Sequence, residues 1–197
     1  MTYPVHFLDS VQVPTPDQAA RLYAQGYGGW AANVFGDGVP ASELWTAADV
    51  HAVTAAGFQF LPIATVDWSL DQSGEELAYG AVCAALKAGV VGAVALDTEY
   101  QERGNPHLNP TVDGFVRRVR AMHWTPVIYC GAAYYGDGVQ WIPRWTARSG
   151  AIGPIPTPPV GTAVQYAGGV VVESVLVDLS VNAGIEFATT LPAVDVL

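Results

Sequence analysis

Lysine is nearly missing from this chain. Lys87 stands beside seven arginines, so 8 basic residues face 18 acidic ones and the net charge is -10. A protein that holds duplex nucleic acid needs a basic footprint, and this balance argues against that class. Cysteine is scarce too: Cys83 and Cys130 are the only two. That is too few for a disulfide framework, so the fold does not depend on an oxidising compartment. Cys130, in "PVIYCG", reads as a small buried hydrophobe rather than a nucleophile. No run approaches the roughly 18 consecutive apolar residues of a membrane span. His6, His51, His107 and His123 show no metal-ligand spacing. No G-x-S-x-G elbow occurs. No glycine-rich phosphate fingerprint follows the first strand pattern, which weighs against nucleotide binding.

What is there is an apolar chain with regular punctuation. At 51% hydrophobic and 13% charged, residues 1–197 read as a single domain with its own core. "PVHFLDSV", "WAANVF", "FQFLPIATV" and "AVALDTEY" read as strands. Between the first and second, "TPDQAARLYAQGYG" carries Thr15 as N-cap, Pro16 at the first helical position and Gly26 as stop. "ASELWTAADVHAVTAAG" is a second helix, capped at Ser42 and stopped at Gly57. "SGEELAYGAVCAALKAG" is a third, capped at Ser73. "NPTVDGFVRRVRAM" is a fourth, capped by Asn109, with Val112, Phe115, Val116, Val119 and Met122 on its apolar face. Four further strand patterns follow, "TPVIYCG", "WIPRWTA", "TAVQYAG" and "SVLVDLSV", with little helix among the last three. Strand–helix alternation implies parallel strands with crossover helices. Eight strands in a chain shorter than the roughly 250 residues typical of (β/α)8 folds predict a compact, irregular α/β barrel of TIM type. Its helices are reduced in the C-terminal half. An open doubly wound sheet is the alternative.

The acids fall where such a barrel does chemistry. "VGAVALDTEY" places Ala93, Ala95, Asp97 and Glu99 on one parity, so an apolar strand face ends in two carboxylates. Asp9 ends "VHFLD" in phase with Val5 and Phe7, and Asp178 ends "SVLVD". Active sites of these barrels lie at the C-terminal strand ends, so Asp9, Asp97, Glu99 and Asp178 are expected to meet at one mouth. A single acid at a strand end is ordinarily a helix cap or a solvated loop residue; four at three strand ends make a site. Tyr129, Trp145 and Tyr166, predicted near strand ends, are either sugar-stacking walls or rim packing.

The ordered set resembles glycoside hydrolase family 25, the lysozymes of bacteria and their phages, and the glycoside-hydrolase-like barrel domains related to it. The matching segments are Asp9 in "FLDS", Asp97 and Glu99 in "LDTE", Asp178 in "VDLS", the tyrosine strand "PVIYCGAAYY", "RWTARSG", and Gln165-Tyr166 in "AVQYAG". The resemblance implies a muramidase-like enzyme acting on a peptidoglycan-type glycan, with no metal or cofactor. Glu99 would be the general acid, its pKa raised by Asp97. Asp97 or Asp178 would stabilise the developing positive charge, by a covalent or a substrate-assisted route, and Asp9 would orient the substrate. Tyr129, Trp145, Gln165 and Tyr166 would contact the glycan. The other reading is a catalytically silent barrel, serving as a phage tail or capsid component or a glycan-binding module, with other virion proteins as partners. "MTYPVHFLDS" has neither the basic start nor the apolar segment of a signal peptide. The expectation is therefore a cytoplasmic protein until released, or a virion-associated one.

Overall fold

The structure is a computed structural model that describes residues 5–36, 39–66, 73–98, 108–130, 139–143 and 155–191. In chain order the elements are β1 (His6–Asp9), α1 (Pro16–Ala24), β2 (Gly29–Phe35), a 3-10 turn (Ala41–Glu43), α2 (Ala47–Ala55), β3 (Gln59–Thr65), α3 (Gly74–Lys87), β4 (Val90–Val91) and β5 (Ala93–Asp97). They continue with α4 (Leu108–Ala121), β6 (Thr125–Tyr129), β7 (Val139–Pro143), β8 (Ala163–Val172), β9 (Val175–Asn182) and β10 (Thr189–Thr190). Each of the eight expected strand patterns overlaps a strand. They pair in the order β1-β2-β3-β5-β6-β7-β8-β9, and β9 returns to β1.

Among the described residues the fold is thus a barrel-like mixed α/β structure, and a full (β/α)8 barrel is not seen. Strands β1 to β8 of the ring run parallel, whereas β9 is antiparallel to both β8 and β1. The parallel strands expected from strand–helix alternation therefore hold through β8 and end at β9. The cause is local: only Glu173 and Ser174 separate β8 from β9, both at positive φ (50° and 64°). A two-residue link with both residues in that region makes a tight hairpin, and a parallel return needs a far longer crossover. Neither residue is a glycine, so the turn is strained, and α1 holds it. Arg21 and Gln25 donate to the Glu173 carboxylate at 2.6 and 2.7 Å, and the Gln18 amide donates to its carbonyl at 3.0 Å.

Helix starts follow side-chain chemistry. Thr15 and Ser73 cap α1 and α3, each in a reciprocal box with the residue three on, Gln18 and Glu76. The second helix departs from expectation: Ser42 lies in the 3-10 turn, and Thr46 caps α2 in a box with Asp49. Trp45 forces the break. It is buried, and its backbone N–H donates to Asn33 O at 2.7 Å, pinning the chain to β2 before the helix can begin. The fourth helix begins at Leu108, one residue ahead of the expected cap Asn109.

The core lies in layers. Phe7, Ala31, Ala93, Ala95, Val127, Trp141 and Ala163 fill the barrel, with Ile185 and Phe187 of the C-terminal segment packed among them. The alternate residues Leu8, Trp30, Val94, Leu96 and Ile128 face outward, under the helices. Period-2 alternation along each strand separates the layers. Among the described residues no helix is long and apolar enough to cross a membrane.

Candidate active site

Above the packed interior the inward parity turns polar. Register fixes the height of each residue. Thr65 pairs with Asp97, Asp97 with Tyr129 and Tyr129 with Trp141 across β3, β5, β6 and β7. Across the ring Asp9 pairs with Asp178. Asp9, Asn33, Thr65, Asp97, Tyr129 and Asp178 line one open cavity of about 370 Å³ at the C-terminal ends of the parallel strands. Glu43, Val11 and Leu176 add to its wall, and no basic residue is among the described lining. So three of the four expected carboxylates meet at one mouth. Glu99 and Trp145 lie outside the described residues.

Asp178 reaches the mouth by a route the sequence pattern did not show. It is the fourth of eight residues in β9, not its last. Because β9 runs downward, its first half stands at mouth level, and the pairing with Asp9 sets the height. Like charges directly opposite across antiparallel strands repel, so a carboxylate here needs donors. Two are supplied: Gly169 N–H to Oδ1 and Gln165 Nε2 to Oδ2, both at 2.6 Å. Gly169 can do this because β8 shifts register around Ala167, freeing its N–H from the ladder, and because it adopts φ +62°. The Gly168-Gly169 pair inside a strand pattern was the sequence signal for such a bulge. Burial nonetheless holds the Asp178 carboxyl above the usual aspartate range, with the Gly169 and Gln165 donors opposing it.

Gln165 is buried and also accepts from the Tyr129 hydroxyl. Tyr129 leans on Trp141, ring centroids 4.4 Å apart, and Trp141 donates to Ser180 Oγ at 3.1 Å. Tyr129 lines the cavity wall, and Gln165 stands behind it. Tyr166 does not join them. It packs in the outer layer with Leu8, Trp30 and Leu179, away from the mouth. Burial there, with the nearby Tyr27, pushes its hydroxyl up to about 12. Asn33 and Thr65, joined by a 2.9 Å bond from Thr65 Oγ1 to Asn33 Oδ1, were missed. The available signal was a polar residue on the inward parity of an apolar strand. Among the described residues no group of three or more His, Cys, Asp or Glu is placed to hold a metal ion.

No protein-family model matches the chain, and no curated protein matches it in sequence. Solved structures do match its fold. A glycosyl hydrolase 25 of Streptococcus pneumoniae, GHIP, superposes with a TM-score of 0.67 at 18% identity, over 89% of this chain and 86% of that one. A muramidase from Acremonium alcalophilum gives 0.63 at 19% identity, over 90% and 93%. The Tat-secreted protein Rv2525c of Mycobacterium tuberculosis, in complex with L-tartrate, gives 0.64 at 14% identity, over 90% and 94%. The chain has a fold like that of glycoside hydrolase family 25; at these identities the likeness concerns the fold alone.

Proposed function

We propose that the protein is a muramidase-like glycoside hydrolase that cleaves a peptidoglycan-type glycan. The observation that carries this reading is the gathering of Asp9, Asp97 and Asp178, from three separate strands, around one open cavity. The fold's likeness to a muramidase and to a family 25 hydrolase supports it. Glycoside cleavage needs one carboxyl to protonate the leaving oxygen and another to stabilise positive charge at the sugar. In this reading Glu99, two residues beyond Asp97, is the acid and later the base. Asp97 or Asp178 faces the developing charge, and Asp9 holds the substrate.

The test is release of reducing sugar from purified bacterial cell walls by wild type and Glu99→Gln. Loss of the proton donor lowers the rate by about 10²–10⁴-fold. Equal rates would take Glu99 out of this role. A wild-type protein inactive on several wall types would overturn the hydrolase reading in favour of a silent glycan-binding or virion-associated barrel.

A further inference from the structure

The β8–β9 hairpin rises past the mouth as a unit of its own. Above the register shift between Ala167 and Val170 it keeps three pairs, Val170–Val177, Val171–Leu176 and Val172–Val175. β1 ends at Asp9, opposite Asp178, so among the described residues this upper part has no strand beside it on the β1 edge. A two-stranded hairpin alone is marginal in water, and a bulge beneath it is where it can pivot. Val170, Val175 and Val177 are buried in one cluster with Ala19 and Leu22 of α1. Apolar packing is non-directional. It holds the hairpin down without fixing where it sits along the helix.

Polar contacts fix that position from two sides. Ser10 Oγ donates to Leu176 O at 2.6 Å, and Leu176 N–H donates to Gln12 Oε1 at 3.0 Å, so side chains of the β1–α1 loop take the place of a neighbouring strand. At the tip, Arg21 Nε and Gln25 Nε2 donate to the Glu173 carboxylate from one face of α1, at 2.6 and 2.7 Å. Gln18 Nε2 donates to Glu173 O at 3.0 Å, while its Oε1 accepts the Thr15 N–H of the capping box. Glu173 and Ser174 both hold positive φ, which glycine or asparagine would adopt at less cost. A glutamate there is unfavourable by itself, and what it supplies is the tie to α1.

That tie reaches the site. Gly169, just below the three pairs, donates to Asp178 Oδ1 at 2.6 Å, and Gly169, Leu176, Val177 and Asp178 all line the cavity. We infer that Glu173 is a positioning residue for Asp178: fastened to α1, it fixes the hairpin above the register shift, and with it the Gly169 N–H that orients the carboxylate. The bearing on glycan cleavage rests on the function proposed above; the coupling of Glu173 to Asp178 does not.

Amide hydrogen exchange by NMR on the full chain tests this. Glu173→Gly removes the carboxylate and relieves the positive φ, so the turn still forms. Exchange at Gly169 rises by about 5- to 30-fold, the factor left by losing one or two net hydrogen bonds, while amides in β3 and β5 are unchanged. The double variant Arg21→Met/Gln25→Met takes away the donors, leaves the hairpin sequence intact and gives the same selective rise. Ser174→Gly relieves strain beside the clamp without touching it and leaves Gly169 as in wild type. Unchanged exchange at Gly169 in either clamp variant, or an equal rise throughout the barrel, overturns the inference. So does a rise in Ser174→Gly that matches Glu173→Gly. Where wild type hydrolyses cell walls, Glu173→Gly lowers kcat and leaves KM unchanged; a change in KM alone overturns the link to catalysis. A wild type inactive on walls whose Gly169 still responds selectively refutes the hydrolase reading and leaves the positioning of Asp178 standing.

Discussion

Gly74 and Gly114 face each other where α3 crosses α4, and alanine should have opposite effects at the two positions. A methyl carbon on Gly74 would lie 1.7 Å from Thr111 O and 2.6 Å from Phe115 N. Both are backbone atoms of α4, so no side chain can swing aside. Widening 1.7 Å to the 3.0 Å that real contacts respect moves the helix ends apart by about 1.3 Å. Overpacking of this kind costs about 1–3 kcal/mol, and more when backbone must move. Alanine's better helix propensity returns at most about 1 kcal/mol. Gly74→Ala should therefore lose about 2 kcal/mol net, a fall in Tm of about 4–8 °C for a chain of this size. On Gly114 the new carbon would lie 3.4 Å from Gly74 Cα and touch nothing closer. There the propensity gain survives, about 0.5–1 kcal/mol, and Tm should rise by about 1–4 °C. Paired thermal melts settle it. Two shifts of the same sign would refute the claim that the α3–α4 crossing is set by backbone contact at Gly74.

The Glu99→Gln wall assay is a second test. A third concerns pH. Because burial raises the folded-state pKa of Asp178, its stabilising contribution is complete below the unfolded value near 3.8 and is lost as pH rises through the folded value. The melting temperature of Asp178→Asn relative to wild type should thus climb as pH rises from about 4 and then level off; a difference flat from pH 4 to 7 would count against a burial-raised carboxyl. A fourth separates two tyrosines: Tyr166→Phe should leave wall hydrolysis unchanged, since Tyr166 packs in the outer layer, whereas Tyr129→Phe should reduce it.

Much of this architecture was legible because alternation and caps are local. The strand patterns, the caps Thr15 and Ser73, and the convergence of Asp9 with Asp97 needed no knowledge of distant contacts. What failed depended on contacts across the chain. Ser42 is as good a cap as Thr46 in isolation; burial of Trp45 against β2 chose between them. Gln165 and Tyr166 are adjacent, so on a regular strand they cannot both face the same cavity. Treating both as glycan contacts overlooked the period of two, and the structure gives the inward position to Gln165. The direction of β9 was hidden because Glu173-Ser174 has none of the residues that usually make a two-residue hairpin. The turn persists through Arg21, Gln18 and Gln25, some 150 residues earlier in the chain.

That reversal also explains how polarity is distributed with depth. On β5 the inward face reads Ala93, Ala95, Asp97: core first, site last. The strand does not aim an acid into its own core, because the same parity leads from a packed interior to an open cavity. On β9 the order is inverted, and Asp178, Ser180 and Asn182 descend from the mouth. Three polar residues on one inward face would be costly if all were unmet. Ser180 takes the Trp141 indole N–H at 3.1 Å, and Asn182 receives the N–H groups of Gly184 and Ile185 while donating to Ile185 O. Those two serve the fold: one holds the aromatic floor beneath Tyr129, the other turns the chain so that Ile185 and Phe187 pack into the barrel. Asp178 alone of the three lines the cavity, and one of its two donors, the Gly169 N–H, comes from a bulge that a regular β8 would not have. A strand rich in polar residues is thus divided by depth, with the groups that serve the fold below and the carboxylate at the height of the open cavity.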